Sequence, residues 1–233
     1  MPKIIGSNLA EHRAQTRNKL FSALSRLMAD QSFESITMAQ IAQQAGVGRT
    51  AVYNHFPDKE TLLLGYITEV TRSYAKQIAA SLENTTDPVQ QLRIYCEAQL
   101  RLNATNHLTS GISLRNVVSS DTAMQLSAHA SIVEDMLRSI LRDAMQQGVI
   151  AEGRTEPKVR LIHATLSAGI AAREPHEYAG TIIETEEFIL RGLGAKFEPA
   201  SRERYMHLVE LAKDDLKCSA LESRKVSICP VAH

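Results

Sequence analysis

The chain of 233 residues has no tryptophan, and aromatic residues make up only 5% of it. Its three cysteines, Cys96, Cys218 and Cys229, are too few and too scattered to staple a small secreted domain. They fit a reducing compartment. No C-x-x-C pair occurs, which excludes a zinc finger. His176-Glu177 has no histidine four residues after the first, which excludes a zincin helix. No apolar run reaches the roughly 20 residues that span a bilayer. The opening MPKIIGSNLAEHR lacks the apolar core and cleavage site of a secretory signal. Net charge is also absent, with 26 basic side chains against 26 acidic ones. That balance excludes no nucleic-acid partner, because binding depends on a local basic patch. The expected setting is the cytoplasm, with the partner met in solution.

What is abundant is helix-forming. Ala, Leu, Gln, Glu and Arg are frequent, and no stretch alternates as a half-buried strand would. Asn8-Leu9-Ala10-Glu11 reads as a capping box that opens a first helix, on which Phe21, Leu24, Leu27 and Met28 recur at helical spacing. Thr37-Met38-Ala39-Gln40 is a second capping box, and Gly46 sits where a helix ends. A short helix is expected from Arg49 to His55. Pro57-Asp58 stops it, and Asp58 caps a long helix bearing Leu62, Leu63, Tyr66, Ile67, Val70 and Tyr74. After the break at residues 84–88, another helix carries Leu92, Tyr95, Cys96, Gln99, Leu100 and Leu102. Residues 105–120 read as a short helix with loops. Further helices are expected at 122–147, 156–172, 181–193 and 201–219.

The stretch IAQQAGVGRTAVYNHF, residues 41–56, admits two readings. Gly46-x-Gly48 resembles the start of a dinucleotide-binding loop, but such a loop follows a strand, and MAQIAQQA before it is helical in pattern and propensity. The other reading is a helix-turn-helix. Gly46 takes positive φ at the corner and Val47 is the pivot. Gly48, lacking a side chain, lets backbone approach a phosphate. Arg49, Thr50, Tyr53 and Asn54 face outward, while Val52 and Phe56 face inward. Arg, Thr, Tyr and Asn are residue types that reach base edges and phosphate oxygens.

Residues 17–64 resemble the DNA-binding domain of the TetR family of bacterial repressors. The resemblance rests on T-x-x-x-I-A-x-x-A-G-V beginning at Thr37 and on Y-x-H-F-x-x-K-x-x-L beginning at Tyr53, and it covers about a fifth of the chain. It implies phosphate contacts from Thr37, Tyr53, His55 and Lys59, a base contact from Arg49, and a base-methyl or phosphate contact from Thr50. Gly48 and Asn54 depart from the usual pattern, which bears on the preferred operator. Lys3, Arg13, Arg17, Lys19 and Arg26 outnumber Glu11 and Asp30 over the first 30 residues, and this segment is read either as a phosphate-facing surface or as a solvated helix face.

The expected architecture is all-α. It comprises a three-helix DNA-binding domain at 1–57, a larger ligand-sensing and dimerisation domain at 58–220 with an extra C-terminal helix, and a tail at 221–233. One reading head covers few base pairs, so a homodimer on a palindromic operator in double-stranded DNA is expected. The resemblance places the dimer seam on the helices at 156–172 and 181–193. Its residues would be Leu161, Ala164, Ala168, Ile183 and Leu190, with Leu166, Ile182 and Phe188 adding apolar surface and Gly169 allowing close approach. The pocket for a moderately apolar small-molecule inducer is expected among Tyr66, Tyr95, Gln99, Leu102, Met124, His129, Met136 and His163. No cofactor, metal or catalytic residue is assigned, and the chain is read as a repressor rather than an enzyme. Two alternatives stand beside this reading. One is a metal- or thiol-sensing regulator using His107, His129, His163 or the cysteines; the other is an all-α enzyme carrying this head.

Overall fold

A computed structural model describes residues 3–105, 118–170, 172 and 174–224; within its helices the side chains of residues 3–9, 105, 129–130 and 217–224 are not described. Among the described residues the secondary structure is helical, without strands. The helices are α1 (Lys3–Asp30), α2 (Met38–Ala45), α3 (Arg49–His55), α4 (Lys59–Leu82), α5 (Pro88–Thr105), α6 (Ser120–Gln146), α7 (Thr155–Leu166), α8 (Pro175–Gly192) and α9 (Arg202–Arg224), with a 3-10 turn at Phe33–Ser35. None among the described residues is long and apolar enough to cross a membrane.

Most boundaries follow the sequence signals, and the exceptions have local causes. Helix α1 begins at Lys3, so Asn8 lies inside it rather than capping it. Helix α7 ends at Leu166, short of the expected 172, and Gly169 beyond it takes a left-handed φ of 68°. Helix α8 begins at Pro175 rather than near 181, because proline at the first helical position costs no hydrogen bond. Helix α6 stops before Gly148, whose φ of 67° lets Val149 N–H reach back to the Ala144 carbonyl. The expected short helix near 105–120 lies mostly outside the described residues.

The chain divides into two compact units, 1–72 with 110–129, and 73–109 with 130–233. In the first, Leu20, Leu24, Ile36, Ile41, Val52, Leu62 and Leu63 are fully buried. In the second, Tyr95, Tyr178, Leu92, Leu100 and Leu137 are buried to the same degree. Helix α9 packs on α8 and α5 there. Its polar face closes a network of charges. Arg101 on α5 forks onto Asp215 of α9 at 2.8 and 3.1 Å, and Tyr178 of α8 donates to the same carboxylate at 3.0 Å. Arg204 of α9 meets Glu186 of α8 at 2.6 Å and Glu97 of α5 at 3.3 Å. Buried ions require such partners, because removing a charge from water without compensation costs several kcal/mol.

Candidate nucleic-acid interface

The head is assembled from the caps inward. Thr37 adopts extended backbone at the start of α2. Its backbone N–H donates to Gln40 Oε1 at 2.8 Å, and Gln40 N–H donates back to Thr37 Oγ1 at 3.3 Å. This reciprocal pair satisfies two otherwise orphaned donors, a contribution of about 1 kcal/mol. Helix α2 ends at Gly46, whose φ of 64° and ψ of 36° are left-handed, and its N–H reaches the carbonyls of Ala42 and Gln43. A side chain here would meet nothing in space, so the backbone conformation alone favours glycine. Val47 is half-buried at the corner, and its N–H returns to Ala42.

Gly48 precedes α3 with φ −63° and ψ 143°, which any residue adopts, and a Cβ there would meet nothing within 4 Å. The fold therefore does not require glycine at 48. Across α3, Val52 is fully buried and Phe56 is 7% exposed. Arg49, Thr50, Tyr53 and Asn54 lie on the exposed side, and His55 is half-buried beside Phe56. Tyr53 is 55% exposed, a large aromatic surface left to solvent on a seven-residue helix. Beneath α3, Phe56 packs against Phe21 with ring centroids 5.7 Å apart, and Phe21 against Tyr66 at 5.9 Å. Gly65 makes room for this stack, since a Cβ there would fall 3.0 Å from the Phe56 ring. Its signal in the sequence is a glycine within an otherwise apolar helical run, and sequence reasoning overlooked it.

Asp58 caps α4 as expected, accepting from Thr61 N–H at 2.7 Å. Lys59 does something different from what the resemblance implied. Its ammonium donates to the carbonyls of Phe33, Glu34 and Ile36 at 3.1, 2.8 and 3.2 Å and lies 4.9 Å from the centre of the Phe33 ring. All three of its protons are engaged within the head. A phosphate contact would require releasing at least one.

Two residues expected in the ligand pocket belong to the head unit instead. Tyr66 is 6% exposed, packs on Phe21 and donates to Ser25 Oγ at 3.1 Å; it is a core residue because it lies one helical turn from the Leu62 and Leu63 pair. Met124 is 67% exposed and faces solvent. Tyr95, Gln99, Leu102, Met136 and His163 lie in the second unit, where the Tyr95 hydroxyl is hydrogen-bonded to His163 Nε2 at 2.9 Å. Burial pushes the His163 imidazole below its usual range, so it is neutral near pH 7. The side chain of His129 lies outside the described residues, as do His107, the side chain of Cys218, and Cys229. Among the described residues no three potential metal donors gather.

The expected seam residues separate by helical phase. Leu161, Ala164 and Ala168 are exposed, Phe188 is 65% exposed and Ile183 is half-buried. Leu190, Leu166 and Ile182 are instead 1%, 1% and 0% exposed, inside the second unit. Leu190 is therefore a core residue of the second unit.

A family model described as bacterial regulatory proteins of the tetR family matches residues 20–66, the segment that holds α2, α3 and the packed start of α4. Residues 20–66 therefore match the N-terminal domain of the TetR family. Among curated relatives, the chain is 31% identical over 78 residues to the transcriptional regulator HbdR of Aromatoleum, a match covering 34% of each chain. It is 28% identical over 152 residues to the nucleoid occlusion factor SlmA of Vibrio vulnificus, covering 62% of this chain and 74% of that one. The chain thus spans about a third of HbdR and about three quarters of SlmA. Solved structures share the fold. A tetR-family regulatory protein from Rhodococcus superposes with a TM-score of 0.67 at 17% identity, over 78% of this chain and 98% of that one. The regulator FadR of Bacillus subtilis, solved with stearoyl-CoA, superposes at 0.58 with 17% identity, over 85% and 95%.

Proposed function

We propose that this chain is a ligand-responsive transcriptional repressor. It acts as a homodimer that holds a palindromic operator through two copies of α3 and lets go when a small-molecule inducer binds. The observation that carries the reading is the two-sided character of α3. Val52 and Phe56 anchor it to the head, while Arg49, Thr50, Tyr53 and Asn54 stand exposed. A helix this short gains little from its own propensity, so its place is set by packing and its outer face is left for a partner.

In this reading Arg49 meets a guanine edge in the major groove, and Thr50 and Asn54 meet base edges or a methyl. Tyr53 and His55 hold phosphates on either side, and the backbone at Gly48 approaches a third. Thr37 caps α2 first and reaches phosphate with what hydrogen-bonding capacity remains. Leu161, Ala164, Ala168, Ile183 and Phe188 form the dimer face, and exposed apolar surface of this kind calls for a partner. Tyr95, Gln99, Leu102, Met136 and His163 border the inducer. The inducer acts by favouring a state in which the two heads no longer match the operator spacing. The reading head is 1–57 completed by the packed start of α4, and the sensing and dimerisation functions belong to the second unit, up to residue 220.

The test is to incubate purified protein with fragmented host DNA and sequence what is retained. A recurrent inverted repeat supports the reading. Retention without any preferred sequence, at low salt only, counts against it.

A further inference from the structure

Among the described residues of the second unit, one buried hydroxyl has a position that the packing does not explain. Tyr74, on α4, is 7% exposed, and its Oη has no hydrogen-bond partner among the described residues. It belongs to the same core as Ile78, Leu92, Tyr95, Cys96 and Leu137. Burying a hydroxyl without a partner is unfavourable, and phenylalanine at this position would avoid that cost. The neighbouring hydroxyl, that of Tyr95, is already bonded to His163. Burial, with Tyr95 and Cys96 nearby, holds the Tyr74 phenol well above its usual titration range, so it is a neutral donor. The residues that share the Tyr74 core are mainly apolar, and the buried Arg93 of this unit is bonded to the Glu198 carbonyl. Arg138 holds Glu134, Asp135 and Glu156, and Arg204 holds Glu97 and Glu186. An anion brought beside Tyr74 would have to leave water for this mainly apolar core.

We infer that Tyr74 is the specificity-determining donor of the inducer site, and that the part of the inducer reaching it is apolar, uncharged and tipped with a hydrogen-bond acceptor such as a ketone, ester or amide carbonyl. This rests on the repressor reading and gives its ligand a chemical class. On binding, the carbonyl oxygen accepts the Tyr74 proton that the protein leaves unpaired, and the apolar remainder displaces or joins the Leu, Met and aromatic side chains around it. A charged group on the same molecule stays outside this core.

The experiment uses three probes of nearly one shape: acetophenone, α-methylstyrene, which replaces the carbonyl oxygen by a methylene, and benzoate, which replaces the methyl by a charged oxygen. Binding to the full chain and to Tyr74→Phe is followed by calorimetry, with melting temperature measured alongside. Acetophenone is expected to bind the wild type about tenfold more tightly than either analogue, as one hydrogen bond made in a dry site allows. That preference is expected to vanish in Tyr74→Phe, while α-methylstyrene binds both forms equally. The unliganded variant is expected to melt no lower than the wild type, because it loses an unpaired polar atom. The inference is overturned if acetophenone binds both forms alike, if benzoate binds best, if none of the three binds the wild type, or if Tyr74→Phe melts lower, which would mean the hydroxyl already has a partner such as a trapped water. Failure of the repressor reading would show separately, as failure of the chain to retain any preferred DNA sequence.

Discussion

The Glu60 carboxylate accepts from the Ser119 hydroxyl at 2.6 Å and from its backbone N–H at 3.1 and 3.2 Å, and it accepts from Thr122 Oγ1 at 2.7 Å. The first turn of α4 thus caps the first turn of α6. These bonds hold the Glu60 carboxyl below its usual value. A carboxylate whose pKa is depressed by folding contributes stability above its unfolded pKa and loses that contribution as pH falls through the folded one. Glu60→Ala is expected to cost about 1 kcal/mol at neutral pH, on the scale of a lost helix cap. The deficit should shrink as pH falls below the ordinary carboxylate range, which thermal unfolding of both forms across pH would measure.

Glu186 has the opposite sign. It is 1% exposed, and burial pushes its carboxyl up to about 7 even though Arg204 lies beside it; Glu97, Arg93 and Cys96 are the other charged or titratable groups around it. The folded chain therefore binds this proton more tightly than the unfolded chain. Stability from this group is fully present below about pH 4.5 and is lost as pH rises to about 7. Glu186→Gln is expected to flatten the fall in melting temperature between pH 5 and pH 7. Equal slopes in the two proteins would show that Glu186 does not titrate there.

Lys59→Met separates two roles. If the contacts to the carbonyls of Phe33, Glu34 and Ile36 dominate, the variant loses about 1–2 kcal/mol of stability. An unchanged melting temperature with weakened DNA binding would assign Lys59 to phosphate instead.

The proposed dimer face is tested by charge. Leu161→Lys and Phe188→Lys place ammonium groups on positions that are 69% and 65% exposed in one subunit, so folding should be unaffected. Each is expected to weaken self-association about tenfold or more, read by sedimentation velocity. A dimer that persists in the double variant would move the interface elsewhere.

The head was legible because its signals are local. The Thr37–Gln40 box, the left-handed Gly46 and the Asp58 cap each join residues within four positions, and each forms as expected. The duty of Lys59 was not legible, because its acceptors are backbone carbonyls 23 to 26 residues away and carry no side-chain signature. In the second unit, apolar residues could be counted but not phased. Leu161 and Leu166 look alike in sequence, yet one is exposed and the other buried because they lie on opposite sides of α7. Tyr66 and Tyr74 share one helix face at a spacing of eight, yet one hydroxyl bonds Ser25 and the other is left unpaired. Only the tertiary neighbours decide that difference.

Arg49→Ala tests most directly whether α3 reads DNA. Arg49 is exposed and its removal leaves Val52 and Phe56 in place, so the head should remain folded. Binding of both forms to the retained inverted repeat, followed by fluorescence anisotropy at fixed salt, is expected to show a loss of about 1–3 kcal/mol for the specific site and a much smaller loss for random duplex. Equal affinity of Arg49→Ala and wild type for that site would contradict the assignment of α3 as the reading helix.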